Sequence, residues 1–90
     1  MASSVSERQL VDVAGDNKGL VIRLEEPLQR ALSGRRSHYA VRIHTVGRVG
    51  EVLVSIDGDK GHLPLLFRPE DMDPGYVCSV VKETVHRYDI

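Results

Sequence analysis

The chain reads as an α+β domain. The expected architecture is an antiparallel sheet of about five strands, with a short helix near residues 27–33. A C-terminal amphipathic helix near 74–88 lies on one face of that sheet. Three observations lead there. Apolar and polar residues alternate through residues 38–46, 51–57 and 62–67. Segments rich in Gly, Asp and Asn punctuate those runs. Beyond Asp73-Pro74 the apolar period changes from two residues to that of a helix.

Residues Gln9 to Ala14 read as a strand that turns through Gly15-Asp16-Asn17-Lys18-Gly19 into a second strand at Gly19–Glu25. The choice of strand over a Ser6-capped helix rests on an internal echo. Leu10-Val11-Asp12-Val13 enters a Gly-Asp-Asn-Lys-Gly turn much as Leu53-Val54-Ser55-Ile56 enters Gly58-Asp59-Lys60-Gly61. Leu28, Ala31 and Leu32 mark the short helix, which stops at Gly34. Along His38–Val46, Tyr39, Val41, Ile43 and Thr45 share one face, expected to be the core face. His38, Ala40, Arg42, His44 and Val46 share the other.

Gly47-Arg48-Val49-Gly50 supplies a turn, and Val52, Val54 and Ile56 point inward from the next strand. A hairpin loop at Asp57–Gly61 leads to His62–Phe67, with Leu63, Leu65 and Phe67 inward. Pro64 lacks a backbone donor, which marks that strand as an edge or as bulged there. Asp73 is placed as the N-cap of the last helix and Pro74 at its first position. Val77, Val80, Val81, Thr84, Val85 and Tyr88 fall on one arc of that helix, with Cys78 at its rim.

With 90 residues the chain forms one domain, assigned to residues 9–90 behind a flexible arm at residues 1–8. Its hydrophobic fraction of 41% and charged fraction of 28% are those of a globular domain. No apolar run approaches the roughly 20 residues of a membrane helix. The N-terminal residues lack the charge and apolar pattern of a signal peptide. The lone Cys78 excludes an internal disulfide and a cysteine metal cluster, and a cytoplasmic location is expected.

No catalytic residue, metal ligand or cofactor site is assigned. The four histidines lack HExxH spacing. His38 and His44 stand roughly 20 Å apart along one strand, too far to share a metal. Asp57-Gly58-Asp59-Lys60-Gly61 has two carboxylates at calcium-loop spacing, but His62 stands where such a loop needs glycine. The glycines match no phosphate-binding motif, and neither Ser33 nor Ser37 sits in a nucleophile elbow. Cys78 reads as packing, and the carboxylates before each helix read as caps and solvated charge.

Charge is unevenly distributed about a net of −1. Between Arg30 and Arg48 there are five arginines and no carboxylate. Leu53 and Leu66 have the outward parity of their strands, alongside Ala40 and Val46. An apolar patch with an arginine rim is the composition of a protein interface, the competing explanation being that the short helix or the N-terminal hairpin covers these residues. The expected function is therefore a non-enzymatic protein–protein interaction module, a regulator, inhibitor or immunity-like adaptor. Its partner is another protein or a second copy of the chain, met through the sheet face. The candidate contact residues are Arg35, Arg36, Arg42, His44, Arg48, Leu53 and Leu66. The alternative is a nucleic-acid-binding domain using Arg30, Arg35, Arg36, Arg42 and Arg48. It fits less well, because the chain is slightly acidic and Tyr39 faces the core rather than offering a stacking platform.

Overall fold

The computed structural model describes residues 11–35 and 37–90. The expected arm at 1–8, residues 9–10 of the first strand and Arg36 lie outside them. The elements run β1 (Val11–Gly15), α1 (Lys18–Leu32), β2 (Tyr39–Val46), β3 (Glu51–Asp57), β4 (His62–Phe67), a single 3-10 turn (Pro69–Asp71) and α2 (Pro74–Tyr88). The class is α+β as expected, but the sheet has four described strands in the order β1-β2-β3-β4 and is mixed. β1 runs parallel to β2, while β2, β3 and β4 form an antiparallel meander.

The departure begins at the Gly15–Gly19 segment. It is a strand-to-helix junction rather than a hairpin turn. The Asn17 side chain accepts a hydrogen bond from the Leu20 backbone N–H at 3.2 Å, capping α1. Leu20-Val21-Ile22 then continues as helix, not as strand. Leu24, Leu28, Ala31 and Leu32 are buried and follow helical spacing, and Ile22 points to solvent. The helix passes through Pro27, which is buried within it, instead of starting there. The two echoing segments thus diverge through the residues beyond each turn. Residues 20, 24, 28 and 31 repeat at helical spacing, whereas 63, 65 and 67 repeat every second residue.

A helix between β1 and β2 makes a crossover, and a crossover delivers a parallel strand. Gly15 permits the close fit at its end. A Cβ there would stand 2.4 Å from the Ile43 carbonyl oxygen and 3.0 Å from Val21 Cγ2.

The remaining elements follow the expected pattern. Tyr39, Val41, Ile43, Val52, Val54, Ile56 and Phe67 are buried on one sheet face. Asp73 caps α2 by accepting from the Tyr76 backbone N–H at 3.1 Å, with Pro74 at the first turn. Val77, Val81 and Val85 are fully buried and meet Leu24, Leu28 and Leu32 of α1 in one aliphatic cluster with the strands. Both helices therefore lie on one face, packed on each other and on the sheet. β4 is an edge strand, with Pro64 opposite Ser55. Leu63 and Leu65 are accordingly only half-buried. Thr45 and Tyr88 leave the expected core face. Thr45 is exposed at the end of β2, and Tyr88 is 62% exposed in the last turn of α2.

Val81 and Lys82 are adjacent but belong to opposite environments, one fully buried and one exposed. Val81→Asp puts an unpaired charge into the aliphatic cluster and is expected to remove about 4 kcal/mol or more of stability. Lys82→Asp is expected to change it by less than about 1 kcal/mol. Urea titration followed by circular dichroism distinguishes them, and equal losses contradict the helix phase.

Candidate functional site

The second face of the sheet carries no described element. Its residues form a grid set by the register. One row runs Asp12, Ala40, Asp57 and His62 across the four strands. The next runs Ala14, Arg42, Ser55 and Pro64. A third brings His44, Leu53 and Leu66 side by side on β2, β3 and β4. Val46 and Glu51 close the end. Leu53 is half-buried by its neighbours, and Leu66 on the edge strand is 58% exposed. Such cross-strand neighbours are in side-chain contact range, so Leu53, Leu66 and His44 form one surface.

Arg42, His44 and His62 on this face each lie beside a carboxylate, whereas Glu51 has no cation within ion-pair distance among the described residues. Arg42 donates to the Asp12 carboxylate at 3.2 Å and to the backbone oxygens of Asp12 and Val41 at 3.3 and 3.0 Å. His44 Nδ1 lies 3.7 Å from Asp16, whose other oxygen accepts from the Thr45 backbone N–H. His62 Nδ1 lies 3.7 Å from Asp57. These contacts stitch β1 to β2 and β3 to β4 along exposed ground, where each ion pair contributes little. Their larger effect is to fix side-chain directions around the leucines.

The expected arginine rim does not form as a unit. Arg30 lies on α1, on the opposite side of the sheet from Arg42, and pairs with Glu26 at 2.8 Å. Arg48 is exposed in the β2–β3 turn. Arg35 is half-buried and directed inward. Its Nε donates to Tyr39 Oη at 2.7 Å and its Nη2 to the Ile90 main-chain oxygen at 3.1 Å. Tyr39 Oη in turn donates to the same Ile90 oxygen at 2.7 Å.

The chain reaches that position through Asp89, which has φ 53 and ψ 48 and ends α2 in the left-handed conformation. Ile90 is thereby buried beside Tyr39 and the β3–β4 turn. Arg35 thus acts as a clasp between the α1–β2 loop and the end of α2. Sequence reading misses this network because its two halves are 51 residues apart. A tyrosine with inward parity near an arginine-bearing loop is the available signal, since a buried tyrosine needs a partner for its hydroxyl.

The described residues form two depressions of note. One of about 340 Å³ lies at the Tyr39 end of the sheet, lined by Asp12, His38, Asp57 and Asp59 among others. There the Asp59 carboxylate is engaged by the His38 backbone N–H at 3.2 Å. The other, of about 590 Å³, lies between the end of α1 and the outer stripe of α2. Among the described residues no three His, Cys, Asp or Glu side chains converge as a metal-ligand set. No helix among them is long and apolar enough to cross a membrane. No protein-family model, curated protein or solved structure matches the chain.

The clasp makes a stability prediction. Tyr39→Phe keeps the packed ring and removes the shared hydroxyl, leaving Arg35 as the remaining donor to Ile90. It is expected to cost about 1–2 kcal/mol in urea unfolding. An unchanged midpoint contradicts a structural role for the clasp.

Proposed function

We propose that the protein is a protein–protein interaction module that docks through the open face of its sheet. The observation that carries this reading is the juxtaposition of Leu53 and Leu66 on a face that neither helix covers. The half-buried Leu53 and the exposed Leu66 beside Val46 and Pro64, edged by polar side chains, form an apolar centre with a polar rim. Arg42, His44 and His62 have carboxylates of their own beside them, while Glu51 and Arg48 at the rim have no described ion-pair partner and are open to charges brought by the docking protein. Two sheets packed face to face would interdigitate these residues at about 10 Å separation.

Size limits the strength of such a contact. Four strands and about six residues per strand present a face of roughly 15 by 20 Å. That is smaller than the ~800 Å² per partner of a standard stable interface. Docking therefore recruits the flanking β2–β3 turn, where Val49 is 69% exposed beside Arg48, or it is transient. A nucleic-acid role for the Arg30–Arg48 segment gains no comparable support, because Arg30, Arg35, Arg42 and Arg48 point to different parts of the molecule.

A photo-crosslinking residue at Ser55, in the middle of the open face, tests the reading in cells of the native host. A covalent adduct to another protein or to a second copy is expected from Ser55. None is expected from a control position at Glu26 on α1. Leu66→Asp is expected to abolish the adduct while lowering stability by less than about 1 kcal/mol, since Leu66 is mostly solvated. Equal adducts from both positions, or an adduct that survives Leu66→Asp, overturn the proposal.

A further inference from the structure

The larger depression lies on the other side of the molecule from the open sheet face and has a different chemistry. It runs beside the end of α1 and the stripe Ser79, Lys82, Glu83 and His86 of α2, with Ser33, Gly34 and Arg35 from the α1–β2 loop opposite. Its volume of about 590 Å³ is within the roughly 300–1,000 Å³ range of small-molecule sites. We infer that this groove binds a small organic phosphate monoester, with Lys82 and His86 as the principal contacts to the phosphate.

The charge balance points to an anion. Glu83 is the one carboxylate in the lining, and its Oε1 is taken by Arg87 Nη2 at 3.0 Å. Among the described residues, neither Lys82 nor His86 has a carboxylate within ion-pair distance. His86 is in the last turn of α2, where positive charge suits the helix dipole on its own account. Lys82 is a turn further back, beyond the reach of that effect, so the dipole does not explain it.

Lys82 and His86 are one turn apart on the same stripe, with side chains about 5–6 Å apart at their bases. That spacing lets both donate to one phosphate group. The Ser79 hydroxyl sits a turn earlier on the same stripe and can add a third donor. The end of α1 opposes binding through its exposed carbonyls. The half-buried Arg35 guanidinium stands on the same wall but is engaged by Tyr39, Ile90 and, at 3.9 Å, Asp89, so Lys82 and His86 carry the contact. Gly34, at φ +83 with no heavy atom within 4 Å of where a Cβ would stand, leaves the wall open for the organic part of the ligand. That part would lie along Ala31.

The test is an amide-resonance titration of the isotope-labelled full chain with β-glycerophosphate, inorganic phosphate and glycerol. Saturable shifts are expected at Ser33, Gly34, Ser79, Lys82 and His86 with β-glycerophosphate. Weaker ones are expected with phosphate and none with glycerol. Lys82→Gln is expected to weaken binding about tenfold or more, the worth of one charge-assisted hydrogen bond. Glu83→Gln is expected to strengthen it, because the competing carboxylate is gone. Both side chains are exposed, so the resonances of Val81 and Val85 report whether each variant keeps its fold. Shifts that do not saturate, or that are unchanged in Lys82→Gln, mean an adventitious ion only and overturn the inference. So does glycerol acting as well as its phosphate.

Discussion

The contact between the inner face of β2 and β3 and the pair of helices decides the rest of the structure. Val41, Ile43, Val54 and Ile56 are fully buried there, against Leu24, Leu28, Val77, Val81 and Val85. These side chains are aliphatic, and most are β-branched or branched one carbon further out. Within this aliphatic contact no described polar side chain is buried to orient the elements; the buried Tyr39 hydroxyl lies at its margin. Orientation comes from shape and from the edges. The N-caps at Asn17 and Asp73 set where each helix begins, and the Tyr39–Arg35–Ile90 clasp sets where α2 ends. With both helices on one face, no described element covers the other face of the sheet. The candidate interface is a consequence of how the core is made.

The two candidate surfaces differ in physical character. The open face is an apolar centre around which Arg42, His44 and His62 each lie beside a carboxylate of the chain. The groove beside the two helices is mixed in character, and its Lys82 and His86 have no described carboxylate within ion-pair distance. The first suits a contact whose energy comes from removing leucine surface from water. The second suits a ligand that brings charge with it. They share no lining residue, so occupation of one need not block the other.

Much of the fold is legible in the residues, and the reason is local. β2, β3, β4 and α2 each carry a single uninterrupted period and a turn or cap that agrees with it. Asp73-Pro74 and the Val77, Val81, Val85 stripe are sufficient to place α2. The first third misleads because its signals conflict. Leu20-Val21-Ile22 is a β-like run inside a helix, Pro27 resembles a helix start, and Gly15–Gly19 has the composition of a hairpin loop. Asn17 as N-cap and the spacing of Leu20, Leu24, Leu28 and Ala31 resolve the conflict. The outward position of Leu53 and Leu66 can be read from strand parity alone. The inward turn of Arg35 cannot, because it depends on a residue at the far end of the chain. The scatter of the arginines is hidden for a related reason. Neighbours in sequence are separated once α1 and the outer face of β2 take opposite sides of the sheet.

Pro64 and the crossover strand make the two margins of the sheet unequal. β4 includes a residue with no N–H to offer a further strand, a standing obstacle to growth on that side. β1 has no proline, and Asp12 is the one charge along its described length. Its backbone is paired by described residues on one side only. Among the described residues the two margins thus differ in chemistry: the β4 margin has a residue that cannot donate to a further strand, and the β1 margin has none.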